Sequence, residues 1–234
     1  MSPLFLPRVR PAAVTVKNVG VYLIGGGGTY LIGGVWINNE NIIDFFAQDS
    51  QQWVPLVAPV NMNSPCAVPI TQVSFLAIHD TNIIEYQVDI NDPTSSNGWQ
   101  ESSKWPGLQT RRTGWPGCSK IGEKVVIAGG QLWYGTYGTP LRSTEVLDLS
   151  TRKIEYAGDL SAPRYGFHIV TISTDNINRV LALAGSDGSS SSHLNSVEEF
   201  DPDSLTWKLA PANIVTRRSF FGAVALPQKL ICPA

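Results

Sequence analysis

Arg112, Arg164 and Arg218 occupy one position of a pattern that returns roughly every fifty residues, and they are the first residues here that could do chemistry. A guanidinium is a planar fork that holds a carboxylate through two parallel hydrogen bonds. An arginine column can therefore grip an acidic segment of a partner. It can equally pair with the repeat's own acids, Glu145 and Glu198. A second constellation is Gln131-Leu132-Trp133-Tyr134-Gly135-Thr136-Tyr137-Gly138, followed by Arg142 and present in one repeat only. Trp133, Tyr134, Tyr137 and Arg142 have the composition of an interface hot spot, and the competing reading folds Trp133 back over its own sheet.

Other chemistries find little support. His79, His168 and His193 are the three histidines and stand in different repeats, so no two share an element as metal ligands would. No metal or other cofactor is expected. Gly25–Gly28 fails as a phosphate loop, because Tyr30 and Leu31 stand where a G-x-G-x-x-G match needs glycine. Cys66 and Cys118 occupy similar strand positions and read as small buried apolar residues. No Ser–His–Asp or Cys–His pairing can be argued from spacing, since triads are defined by geometry.

Charge and composition narrow the partners. Seventeen basic against nineteen acidic residues give a net charge of −2, which provides no general field for a polyanion, so nucleic acid is not an expected partner. No stretch of about 18 apolar residues is present, so no membrane span is expected. Pro3 and Pro7 interrupt the apolar N-terminal stretch that a secretory leader would need. Three cysteines are too few and too odd for a disulfide scaffold, which points to a reducing, cytoplasmic compartment.

The elements that position these residues are short strands. Each repeat reads as a basic residue, a strand, a turn, an apolar strand ending in a small doublet, a loop, an acidic–aromatic strand, a turn and a last strand. The basic column starts at Arg10 and has Asn63 in its second register. Doublets fall at Gly25-Gly26, Gly129-Gly130 and Ala184-Gly185, and the second register lacks one, holding Ala77-Ile78 where it would stand. Acidic–aromatic strands contain Asp44, Glu85, Glu145 and Glu198, and Trp53, Trp99, Ile154 and Trp207 mark the last strand. Four β-patterned runs per repeat form an antiparallel meander, which must stack on neighbouring copies to bury its faces. In such a meander the arginine column shares a rim with the loops Gly27–Asn41, Gln131–Arg142 and Ser186–Asn195.

These columns resemble the kelch repeat, with its glycine doublet, acidic–apolar strand and spaced tryptophan. The resemblance implies an all-β chain, a kelch-type β-propeller of four-stranded antiparallel blades. Its boundaries are an N-terminal extension at 1–9 and a propeller segment at 10–234. Within the latter lie repeats at about 10–60, 61–109, 110–160 and 161–211 and a half-repeat at 212–234, an incomplete or open ring. It also implies a non-catalytic module that binds another protein, such as an acidic peptide segment, through one rim, as adaptor or substrate receptor. Partner-facing candidates are Arg112, Arg164, Arg218, Trp133, Tyr134, Tyr137 and Arg142. The alternative implied by the family is an enzyme, a sugar-acid epimerase or a copper-radical oxidase. The oxidase needs two tyrosines and two histidines to converge, which three scattered histidines do not favour.

Overall fold

The computed structural model describes residues 11–16, 19–26, 29–32, 35–38, 42–100, 104–134, 137–173, 178–189 and 193–225. The chain divides into two compact units, Met1–Gly114 and Trp115–Ala234, and both are built from short antiparallel strands. No α-helix occurs among the described residues; Ser96–Gly98 forms one 3-10 turn. The fold is all-β among the described residues, with several four-stranded antiparallel sheets.

In the first unit, β1 (Ala12–Val16) and β2 (Gly20–Ile24) bury alternate side chains, as a strand with one face on a core must. They join β5 (Ile42–Ala47) and β6 (Gln52–Val57) in the order β1-β2-β5-β6. A hairpin of β3 (Thr29–Ile32) and β4 (Val35–Asn38) fills the connection from β2 to β5. The second sheet holds β7 (Cys66–Pro69), β8 (Ser74–His79) and β9 (Asn82–Gln87). A single bridge from Tyr86 to Trp99 stands where a fourth strand was expected. Tyr22, Phe45, Phe75 and Tyr86 pack ring against ring in the core, with centroids 4.6 to 5.5 Å apart. The Tyr22 and Tyr86 hydroxyls donate to the carbonyls of Pro93 and Ser95, which ties the loop after β9 to that core.

In the second unit, β10 (Gly117–Ile121), β11 (Lys124–Ala128), β14 (Thr144–Asp148) and β15 (Lys153–Ala157) form one sheet. The other contains β16 (His168–Ser173), β17 (Asn178–Leu183), β18 (Val197–Asp201) and β19 (Thr206–Leu209). Between β11 and β14 projects a hairpin of β12 (Gln131–Tyr134) and β13 (Tyr137–Pro140). Val126, Ala128, Val146, Ile169, Val180 and Phe200 lie in the core that the two sheets enclose.

Register explains the repeat columns. The marker of the last strand lies opposite the apolar end of the acidic–aromatic strand, as Phe46–Trp53, Leu147–Ile154 and Phe200–Trp207. The aromatic pairs Phe46–Trp53 and Phe200–Trp207 have ring centroids 5.0 Å apart. Trp207 also donates its indole N–H to Thr144 Oγ1 of the neighbouring sheet at 2.9 Å, which fixes its orientation. Turns between the last two strands are set by aspartate: Asp148 accepts from the Thr151 N–H and Asp201 from the Asp203 N–H. The Ser150 hydroxyl and the Thr151 N–H hold the Asp148 carboxyl down at about 2.

Two expectations need correction. The stretches Gly27–Asn41 and Gln131–Arg142 are not simple loops, since each carries a β-hairpin. The second register lacks the doublet, as its sequence says, and Ala77-Ile78 is fully buried strand. Asp80 takes that place with φ 57°, and the tight turn from His79 to Asn82 leaves no room for a long loop. Cys66 and Cys118 are disulfide-bonded rather than buried thiols. Disulfides persist in oxidising surroundings, so the cysteine count no longer supports a reducing compartment. No helix among the described residues is long and apolar enough to cross a membrane.

Candidate functional site

The glycine doublets are where one repeat meets the next. Gly129 and Gly130 have φ of 60° and 91°, and Ala184 and Gly185 have 53° and 102°. This turn aims the second N–H at the carbonyl of the following basic residue: Gly130 at Arg164 O (2.7 Å) and Gly185 at Arg218 O (2.9 Å). A Cβ on Gly129 would lie 2.5 Å from Arg164 O, so close backbone approach excludes a side chain there. In the first unit the Asp80 N–H reaches Arg112 O in the same way at 3.2 Å.

Arg164 is a fixed internal pin. Its side chain has no exposed area, and neither in effect does that of Glu198. Nη2 and Nε both donate to Glu198 Oε1, at 2.6 and 3.1 Å. Nη1 donates to the carbonyls of Ala184 and Ser196, and Nη2 to Ser196 Oγ. Glu198 Oε2 accepts the Ser161 N–H. Burial lowers the Arg164 guanidinium from its usual range, and the charge and hydrogen bonds of Glu198 oppose that effect. Arg112 is likewise fully buried. The partner-facing role expected for Arg112 and Arg164 does not survive, because neither guanidinium reaches solvent. Of the two readings of the column, the structural pair is what Arg164 forms. Arg218 differs: it is exposed, and its Nε donates only to Thr216 O among the described residues.

Of the hairpin residues, Trp133 is 39% exposed and Tyr134 69% exposed, so Tyr134 does not fold back. Trp133 leans edge-on against Trp115 at 6.1 Å. Trp115 continues to Tyr165 and Phe220, at 5.8 and 5.2 Å. Tyr137 pairs with Tyr134 through the backbone, and its side chain lies outside the described residues. Arg142 is exposed and gives its Nε to Asp159 Oδ2 at 2.9 Å. The hairpin and the connections that carry Trp115, Tyr165 and Phe220 thus share one aromatic cluster, with Tyr134 and Phe220 open to solvent.

Trp115, Tyr165 and Phe220 were missed in the sequence, although each follows a column arginine within three residues. Trp115 and Phe220 adopt left-handed backbone, φ 51° and 53°, and Gly166 has φ 60° at the corresponding point before β16. A Cβ on Gly166 would meet the Phe220 ring at 2.6 Å, so that glycine is the floor on which Phe220 rests.

The histidines remain apart: His79 ends β8, His168 starts β16, and His193 lies in the segment after Gly185. Among the described residues no three His, Cys, Asp or Glu side chains gather where a metal ion could be held. His168 is lowered from its usual range by burial, which a hydrogen bond with the Phe221 backbone opposes. His193 Nδ1 lies 2.9 Å from Ser219 Oγ.

Meander sheets, αL doublets that dock on the next repeat and buried Arg–Glu pinning define a blade-repeat protein. The family model of the kelch motif matches residues 178–213, which span β17, β18 and β19, so this segment is similar to a kelch repeat. No curated protein matches it.

Proposed function

We propose that the second unit binds a protein segment through the aromatic rim formed by Trp133, Tyr134 and Phe220. The observation that carries this reading is the exposure of large aromatic side chains on a braced cluster, since buried-rim tryptophan, tyrosine and arginine supply most hot spots. Kelch repeats generally serve as protein-interaction modules, which agrees with this. Arg142 and Arg218 flank the aromatics and are exposed, so the favoured partner is an extended segment with carboxylates beside an apolar anchor. Arg164, buried in the same unit, acts as scaffold. The role is non-catalytic, that of an adaptor or substrate receptor.

The test is selection of peptides from a random display library on the folded chain, followed by affinity measurement. Selected peptides should be rich in Asp and Glu around an aromatic or aliphatic residue. Trp133→Ala or Tyr134→Ala should weaken binding by about 2 kcal/mol, roughly thirtyfold, with Tm within a few degrees of the parent. Peptides that bind both variants as well as the parent would refute the rim.

A further inference from the structure

The pair Arg-Arg followed by a hydroxyl residue occurs twice, as Arg111-Arg112-Thr113 and Arg217-Arg218-Ser219, and the fold treats the two copies oppositely. In the first, Arg112 is buried and Arg111 holds Asp80 through Nε and Nη2 at 2.8 and 2.9 Å. In the second, Arg217 and Arg218 are both exposed, and neither has a carboxylate at ion-pair distance among the described residues. By contrast Arg111, Arg142, Arg164 and Arg179 each hold one. Beside this unbalanced charge the Ser219 hydroxyl rests against His193 Nδ1.

The chain around Ser219 lies outside the strands. Residues 210–225 form no strand, and Val215 and Val224 are 100% and 76% exposed. The two neighbours of Ser219 are held by backbone bonds, the Arg218 N–H to Leu194 O, the Gly185 N–H to Arg218 O and the Phe220 N–H to Gly166 O, which fixes where the Ser219 hydroxyl stands.

We propose that Ser219 is a phosphoacceptor site, served by a separate protein kinase that reads basic residues and uses a nucleoside triphosphate. Ser219 Oγ attacks the γ-phosphorus; the new O–P bond forms as the bond to the nucleoside diphosphate breaks. The hydroxyl proton leaves to the kinase's base. The product dianion supplies the acceptor oxygens that His193, Arg217 and Arg218 lack. It ties the segment after Gly185 to the connection that carries Phe220. It also cancels positive charge on the aromatic rim, so an acidic partner would bind the modified chain less well.

The experiment treats the whole chain with magnesium, ATP and the catalytic subunit of a basophilic serine kinase, and maps phosphate by mass spectrometry. Ser219 should be modified at least ten times faster than Thr113. A chain that takes no phosphate at Ser219, or takes it at Thr113 as fast, overturns the proposal, whatever the isolated peptide 211–225 does. A second readout separates a built site from mere accessibility. By phosphorus NMR the phosphoserine in the folded chain should titrate about one unit below the same residue in the phosphorylated peptide, because nearby cations favour the dianion. His193→Ala should return part of that difference. Equal midpoints in chain and peptide would show that nothing in the fold holds the phosphate.

Discussion

Removing the Arg164 guanidinium is the most direct perturbation of this fold. Arg164→Met keeps an unbranched chain of similar length but deletes five donated hydrogen bonds, two of them to the Glu198 carboxylate. Glu198 is then left fully buried with the Ser161 N–H as its described donor. Breaking a buried pair from one side typically costs about 3–5 kcal/mol, mostly through the stranded charge. For a chain of this size each kcal/mol moves Tm by about 2–4 °C, so a fall of about 6–20 °C is expected. Arg164→Lys keeps the charge without the fork and should fall between parent and Met variant. Exchanging Glu198 for leucine in the Met variant removes the stranded carboxylate and should recover part of the loss. Urea unfolding followed by circular dichroism measures these four proteins and Glu198→Leu alone, which completes the cycle. A loss below about 1 kcal/mol for Arg164→Met, or strict additivity in the double variant, would refute the pin.

Gly129→Ala and Gly122→Ala form a matched pair, since both glycines have φ near 60° but only Gly129 has a carbonyl in the way of a Cβ. Gly122→Ala should cost about 1–2 kcal/mol for the left-handed backbone alone, and Gly129→Ala clearly more; equal losses in chemical denaturation would contradict the close approach. Burial, with the charges of Asp92 and Asp89, pushes the Tyr86 hydroxyl up to about 12, and burial beside Tyr86 pushes Tyr22 further up. Because these folded values exceed the unfolded value of about 10, the stabilisation is complete below pH 10 and lost as pH rises through 12. Ultraviolet titration should therefore show two late phenols ionising together with loss of strand signal. His168 has the opposite sign: its folded value is depressed, so its contribution is present above the unfolded value of about 6.5 and lost as pH falls through the folded one. His168→Gln should flatten that part of the stability profile, and an unchanged slope between pH 4 and 7 would count against burial as the cause.

The repeat was legible because its columns are cross-strand partners. Trp207 recurs because it faces Phe200, and Gly129 because a backbone carbonyl lies where its Cβ would go. Arg164 was visible as a column member, but whether it faced solvent or Glu198 depends on burial, which a spacing pattern does not encode. Asp80 was missed because its turn role rests on left-handed backbone, open to aspartate as well as glycine. The aromatic cluster of Trp115, Tyr165 and Phe220 was missed because an extra residue shifts Trp115 relative to its arginine. The hairpins β3–β4 and β12–β13 escaped as strands because their Gly- and Tyr-containing sequences resemble loops.

Arg164 belongs to two sheets at once. Its backbone takes the Gly130 N–H and gives its own N–H to Leu141 O of the preceding sheet, while its side chain locks β17 to β18 in the following one. In a repeat array, stability is a sum of each unit's own term and nearest-neighbour terms. A residue that serves both kinds of term makes them inseparable, because melting either sheet removes a contact the other depends on. The two sheets of this unit should therefore exchange their amide hydrogens as one block, with a single opening free energy, instead of fraying from the outermost strand inward.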